Sequence, residues 1–295
     1  MIKFIACDLD GTLLNSSKEL PRDLRATVER LNKIGVTFAP ASGRQYYKVL
    51  EQFEPISRNF MYIAENGAFV IKDGEVIVRD CLSGAVALDV IKRTRKLPSV
   101  YPILCCEDCA YMESSVGGYK PVEVGQYFRR LEFVPDLTDY CDTKNILKVA
   151  VYTPNDAYEN IYKKLPEYPE SAQIILSGRE WVDVMKIGVS KGSAIKKVRE
   201  ICGWDKSECM CFGDYLNDYE MMFECGESFA MANAHEDLKK AAKHIAPSND
   251  ENGVMKSIQK VVWVIKYRLG AASMCPLAVL RQPLFLVLKA LRIQE

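Results

Sequence analysis

Apolar positions along this chain follow two alternating rhythms. Ile2, Phe4, Ile5, Ala6 and Cys7 form a short, nearly continuous apolar run, and Val36 to Ala41 and Phe60 to Ala64 form two more. Runs of this length, rich in β-branched and aromatic residues, predict strands buried on both faces. Between the first two, Leu24, Val28 and Leu31 recur at helical spacing over Asp23 to Lys33, and Gly35 follows as a C-terminal stop. The first eighty residues thus predict strand, helix, strand, helix, strand, and Phe69 to Val78 adds a hairpin about Asp73-Gly74. Such alternation argues for an α/β fold around a parallel sheet.

From Leu82 to Asp183 the rhythm changes. Val86 to Leu97 predicts a helix, Val100 to Cys105 and Ala110 to Glu113 paired strands, and Ile146 to Tyr152 another strand. Asp156 to Leu165 predicts a second helix, followed by strands near Ala172 to Leu176 and Trp181 to Ile187. The βα alternation then resumes: a helix over Lys191 to Cys202, a strand at Cys209 to Phe212, a helix from Asn217, a strand at Ser228 to Met231 and a closing helix over Val254 to Leu269. The expected organisation is a core from residues 1–81 and 184–270, an inserted α+β domain at 82–183, and a tail at 271–295. Insertions are tolerated at loops that rim a site, so the inserted domain is expected to act as a lid or to select substrate.

Composition narrows the class. A chain of 295 residues, 48% hydrophobic and 26% charged, is long enough for two cores. Lys plus Arg and Asp plus Glu both number 39, so no net field attracts nucleic acid or acidic membranes. Met1 leads straight into a strand with no signal-peptide pattern, which predicts a cytoplasmic protein. The tail from Ala271 is apolar but interrupted by Pro276, Arg281, Pro283, Lys289 and Arg292. It reads as packing for a partner or as an appendage, with an interfacial amphipathic helix as the alternative, and no stable membrane insertion is expected. Cys105, Cys106 and Cys109 form a tight cluster, and Cys209 and Cys211 a second pair, but a zinc site needs four converging soft ligands and the only imidazoles are His235 and His244. Structural thiols are the expectation, with a redox or zinc role at Cys105 to Cys109 as the alternative.

Four segments carry the chemistry. The first strand ends in Asp8-Leu9-Asp10-Gly11 and the second in Ser42-Gly43-Arg44; Lys191 opens a helix; Gly213-Asp214 with Asn217-Asp218 joins a strand to a helix. In an open parallel sheet these junctions lie on the edge where ligands bind. Asp10-Gly11 alone could be a simple turn. Together the segments suit phosphoryl transfer, with Asp8 as nucleophile and Asp10 as general acid and base on the condition that its anionic neighbour raises its pKa. Two carboxylates facing a phosphate require a hard cation, so Mg²⁺ is expected on Asp8 and Asp214. Ser42 and Lys191 would bind phosphate, and Asp218 would orient Lys191 or a metal-bound water.

These segments resemble the four motifs of the haloacid-dehalogenase-like superfamily, and are most similar to its Cof-type phosphatases with a type IIB cap. The likeness covers residues 1 to about 268 and includes Glu65-Asn66-Gly67-Ala68, Met231-Ala232-Asn233-Ala234 and Asn249-Asp250-Glu251-Asn252-Gly253-Val254. The resemblance implies a Rossmann-like core with an inserted α+β cap. It implies Asp8 as nucleophile and metal ligand, Asp10 as acid/base whose carbonyl also binds Mg²⁺, and Asp214 as the other carboxylate ligand. It further implies phosphate contacts from Ser42, Gly43, Lys191, Asn217 and the Leu9 N–H. Tyr215-Leu216 departs from the small or polar residues common there, and could narrow the site. The expected function is a Mg²⁺-dependent phosphomonoester hydrolase acting on small phosphometabolites, sugar phosphates first. A phosphosugar mutase and a non-catalytic phosphometabolite sensor are the alternatives. In the cap, Arg179, Tyr119 and Arg129 are candidate substrate contacts.

Overall fold

A computed structural model describes residues 1–56, 60–114 and 122–263. The apolar runs become β1 (Phe4–Asp8), β2 (Thr37–Ala41) and β3 (Met61–Ala64), with α1 (Leu24–Lys33) and α2 (Tyr46–Phe53) between them. The hairpin is β4 (Phe69–Lys72) and β5 (Glu75–Arg79). The inserted region holds α3 (Gly84–Thr94), β6 (Tyr101–Cys106), β7 (Ala110–Glu113), the single turn α4 (Val122–Gly125), β8 (Leu131–Val134), β9 (Ile146–Tyr152), α5 (Ala157–Asn160), β10 (Ala172–Gly178) and β11 (Trp181–Lys186). Then follow α6 (Lys191–Cys202), β12 (Cys209–Gly213), α7 (Tyr219–Glu224), β13 (Glu227–Met231), α8 (Glu236–Ala241) and β14 (His244–Ala246).

Two sheets result. The first has the order β14-β13-β12-β1-β2-β3-β4-β5, parallel from β14 through β3 and antiparallel at the hairpin. Phe4, Ile5, Ala6 and Cys7 are fully buried because β1 is central and covered on both faces. The chain leaves β1 toward β2 on one side and returns through β12 on the other, which makes the end of β1 the switch point where such sheets bind ligands. Asp8 pairs with Ala41, and Cys7 with Phe212, so the loops after β1, β2 and β12 open on one edge.

The second sheet, β10-β11-β9-β6-β7-β8, is antiparallel except for β7 with β8. One face packs Leu104, Val149, Val151 and Val184 on Val90 and Ile91 of α3. Where the two sheets approach, Leu147 and Met185 pack with Ala68, Phe69 and Ile71 of the hairpin. Strand β11 runs through residue 183, the expected end of the insertion, to Lys186.

Several expectations shift. Asp156 to Leu165 is not one helix but the turn α5 followed by a 3-10 turn, Tyr162–Lys164. The break is at Ile161 (φ −126°, ψ −60°), and Pro166 holds Leu165 extended (ψ 142°). Ala157, Ile161 and Leu165 still bury their side chains, which is the periodicity visible in the sequence. The helix expected from Asn217 begins as a 3-10 turn, Leu216–Asp218, before α7. The expected closing helix is described as Gly253–Ile258 and a π-helical turn Gln259–Trp263; its remainder and the tail at 271–295 lie outside the described residues. Met1–Met255 form one compact unit, and residues from Lys256 belong to a second. Among the described residues no helix is long and apolar enough to cross a membrane.

The cysteine cluster does not converge. Cys105 faces one side of the second sheet with Tyr101 and Ile103, whereas Cys106 and Cys109 face the other with Cys141. All are free, and burial raises their thiol pKa, to about 11 for Cys109. The geometry removes the zinc alternative for this trio and leaves buried thiols.

Candidate active site

Three carboxylates meet on the expected edge. Oxygens of Asp8, Asp214 and Asp218 all lie within 4.8 Å of one another. Asp8 ends β1, Asp214 follows β12, and Asp218 sits at the start of α7. The turn after β1 must lie close against Asp214: a Cβ on Gly11 (φ +80°) would stand 2.3 Å from Asp214 Oδ2. Thr12 Oγ1 donates to Asp214 Oδ1 at 3.0 Å and fixes that carboxylate.

Lys191 enters this cluster from the first turn of α6, whose start is set by a capping box between Ser190 and Ser193. Its side chain is fully buried, and Nζ lies 2.5 Å from Asp8 Oδ1 and 2.7 Å from Asp218 Oδ1. Asp218 Oδ2 accepts from the N–H groups of Asp214 (3.0 Å) and Tyr215 (3.3 Å). Asp218 therefore positions Lys191 and the loop bearing Asp214.

One buried cation does not balance three carboxylates. Burial, followed by the charge of Asp218, pushes Asp8 well above the usual carboxylate range, and the same causes raise Asp214 to about 6. Burial opposes the charge of Lys191, but Asp218 and Asp8 outweigh it and raise its pKa. A hard cation between Asp8 and Asp214 would relieve the excess negative charge, so the donor set fits a divalent metal of the Mg²⁺ type.

Asp10 departs from its expected titration. Burial works to raise its pKa, but Lys18 Nζ (2.8 Å) and the Arg44 guanidinium (2.7 Å), both on Oδ1, together outweigh burial and lower it. Neither partner is adjacent in sequence, so the neighbouring-anion argument missed them.

Of the remaining predicted residues, Ser42, Gly43 and Asn217 line a cleft of about 1390 Å³ between the two sheets. Ser42 is buried, and its Oγ accepts from the Arg44 N–H at 3.2 Å. Its own N–H is committed to the Ile63 carbonyl at 2.8 Å. Gly43 and Asn217 line the cleft, and Asn217 Nδ2 reaches Asn66 Oδ1 at 3.5 Å. Leu9 is wholly buried behind it, leaving only its main chain to act. Tyr215 and Leu216 line the rim but are exposed, so they do not constrict the floor.

The cap candidates fare differently. Arg129 is an exposed side chain paired with Glu51 at 2.9 Å, and neither it nor Arg179 lines the cleft; Tyr119 lies outside the described residues. The cap instead contributes Tyr127, Phe128, Lys148, Trp181 and Asp183. Gln45, 3% exposed, clasps the cap's main chain: its Nε2 donates to the Arg130 carbonyl (2.8 Å), and its Oε1 accepts from the N–H groups of Arg129 and Arg130 (2.9 Å each). Sequence reasoning passed over Lys148 and Asp183, although a charge inside an apolar strand, Leu147-Lys148-Val149 or Val182-Asp183-Val184, was a usable signal.

The turn Glu65-Asn66-Gly67 is left-handed throughout (φ 49°, 54° and 99°) and packs on the start of α6. A Cβ on Gly67 would stand 2.2 Å from the Ser190 carbonyl oxygen. Gly67→Ala is therefore expected to cost about 2–3 kcal/mol, read by urea unfolding. A loss below about 0.5 kcal/mol would show that the turn relaxes freely.

With this geometry, the class is a Rossmann-like α/β protein whose acidic site lies at the sheet edge under an inserted cap. The chain belongs to the haloacid dehalogenase-like hydrolase family, which it matches over residues 5–258. Among its relatives is the 5-amino-6-(5-phospho-D-ribitylamino)uracil phosphatase YbjI of Escherichia coli, 31% identical over 88% of this chain and 96% of the relative. YcsE of Bacillus subtilis bears the same enzyme name and is 27% identical over 90% of this chain and 96% of its own. The crystal structure of TM0651 from Thermotoga maritima superposes with a TM-score of 0.78 at 27% identity, covering 88% of this chain and 98% of that one. The protein is a hydrolase of the phosphatase class.

Proposed function

We propose that the protein is a cytoplasmic, Mg²⁺-dependent phosphomonoester hydrolase of small phosphometabolites, sugar phosphates first, working through an aspartyl-phosphate. The observation that carries this reading is the buried cluster in which Lys191 binds both Asp8 and Asp218 beside Asp214. Asp8 is the nucleophile: its carboxylate oxygen attacks phosphorus, and the ester oxygen leaves. Lys191, Ser42, Gly43, Asn217 and the Leu9 N–H hold the phosphoryl oxygens. Asp10 gives the leaving oxygen its proton and later takes one from the water that cleaves the aspartyl-phosphate. The incoming phosphate dianion pushes the pKa of Asp10 up, against the pull of Lys18 and Arg44. Asp8, Asp214 and the Asp10 carbonyl would hold Mg²⁺, which would supply neutralising charge for the phosphoryl group.

A second substrate class has support of its own. Tyr127, Phe128 and Trp181 form an aromatic wall on the cap side, with ring centroids of Tyr127 and Trp181 5.1 Å apart. Such a wall suits a flat ring. The names of YbjI and YcsE pair a ribityl phosphate with a uracil ring, so a polyol phosphate carrying a planar base belongs in the substrate panel.

The test is phosphate release from p-nitrophenyl phosphate and a panel of sugar and polyol phosphates, with Mg²⁺ and with EDTA. EDTA is expected to lower turnover at least about 100-fold, and Mg²⁺ to restore it. A folded protein that binds Mg²⁺ yet releases no phosphate from any substrate would sink the hydrolase reading. Bisphosphate-dependent isomerisation would then favour a mutase, and ligand binding without turnover a sensor.

A further inference from the structure

Facing the phosphate-side groups, the cleft holds a second polar set that phosphoryl transfer does not use. Lys148, 5% exposed, sits within β9, and Asp183, 4% exposed, within β11, both in otherwise apolar stretches. Lys148 Nζ donates to the Gly43 carbonyl at 2.9 Å, and lies 3.1 Å from Glu65 Oε2 and 3.3 Å from Asp183 Oδ2. Asn66 Nδ2 donates to the same Asp183 Oδ2 at 3.4 Å, and Asn66 Oδ1 accepts from Asn217 at 3.5 Å. Asp183 thus stands one side chain away from each of two phosphate-side residues, Gly43 through Lys148 and Asn217 through Asn66.

Packing alone does not account for this arrangement. A buried ion pair rarely stabilises more than the apolar residues that could replace it, and two strands here each surrender a core position to a charge. Asn66 is moreover presented by a turn that is left-handed at three consecutive residues, and backbone strain of that kind persists where it serves a site. Both bonds to Asp183 are long and fall on Oδ2; Oδ1 takes none from the described residues and belongs to a side chain lining the cleft. Beside a phosphate dianion a lone carboxylate would repel substrate; Lys148, shared between Asp183 and Glu65, offsets part of that charge and leaves the acceptor capacity of Oδ1.

We infer that Asp183, held in place by Lys148 and Asn66, is a specificity-determining subsite that accepts a hydrogen bond from a substrate hydroxyl near the phosphoester, so that the cleft selects polyhydroxylated phosphates. This rests on the phosphatase reading above. In Asp183→Asn, Lys148 claims the only remaining side-chain oxygen and turns an NH₂ group toward the cleft, where an acceptor is needed. Asn66→Gly removes the second support, while glycine adopts the turn's φ without strain.

The experiment compares kcat/KM for sorbitol 6-phosphate with that for p-nitrophenyl phosphate, which has no hydroxyl, in the wild type and both variants. The ratio is expected to fall about 10- to 100-fold in Asp183→Asn and to fall in the same direction in Asn66→Gly, which carries the test if the first variant does not fold. An unchanged ratio, with both substrates lost equally, would make the set a structural brace and overturn the inference while the phosphatase reading stands. Wild type that hydrolyses p-nitrophenyl phosphate but not sorbitol 6-phosphate would also overturn it. Silence on both substrates would remove the phosphatase reading along with it.

Discussion

Asp8→Asn is expected to lower phosphate release by about four orders of magnitude or more, because covalent catalysis has no substitute for its nucleophile. The other carboxylates within reach are committed: Asp214 accepts from Thr12, and Asp218 accepts from Lys191 and two main-chain N–H groups. The fold should survive. The Asn carbonyl can still accept from Lys191, Lys191 keeps its 2.7 Å pair with Asp218, and one of three crowded negative charges is gone. The check is kcat on p-nitrophenyl phosphate with Mg²⁺, beside a thermal melt of each protein. A folded variant within about tenfold of wild type would take the nucleophile's role away from Asp8.

Those parts of this architecture whose causes are local were the legible ones. β1, β2 and β3 stand out because strands buried on both faces are continuously apolar, and Asp73-Gly74 marks its hairpin because both residues adopt positive φ (52° and 83°). Asp8, Ser42, Lys191 and Asp214 could be placed on one edge because each sits at a strand end or helix start, and parallel topology gathers those points. What escaped depends on register and on distant partners. Lys148 and Asp183 meet because β9 pairs with β11, with Val149 opposite Val184 and Lys148 opposite Met185, a relation set by tertiary pairing. The lowered pKa of Asp10 comes from Lys18 and Arg44, and Gln45's hold on the cap needs a loop 84 residues away. The Asp156 to Leu165 helix failed for the opposite reason: its apolar period was real, but Pro166 and a short length left too few residues to propagate a helix.

Lys191→Met is expected to cost about 3–5 kcal/mol of folding stability in the absence of divalent metal, as well as activity. Lys191 is fully buried and is the cation bonded to both Asp8 and Asp218, so a neutral side chain of similar length leaves two buried carboxylates and the half-buried Asp214 facing one another. The penalty belongs to those stranded charges rather than to the lost bonds, and this gives the prediction a second arm. Adding Asp218→Asn to Lys191→Met should recover part of the loss, because it removes one stranded charge while its amide oxygen can still accept from the Asp214 and Tyr215 N–H groups. In a double-mutant cycle the coupling should therefore be favourable, by about 1–3 kcal/mol. Mg²⁺ should also narrow the gap between wild type and Lys191→Met, since a cation on Asp8 and Asp214 neutralises the same charge and stabilises the state that binds it. Urea unfolding in EDTA and in Mg²⁺ measures all three effects. A loss below about 1 kcal/mol in EDTA would mean that the carboxylates shed their charge by protonation without penalty, and that Lys191 is dispensable to the fold.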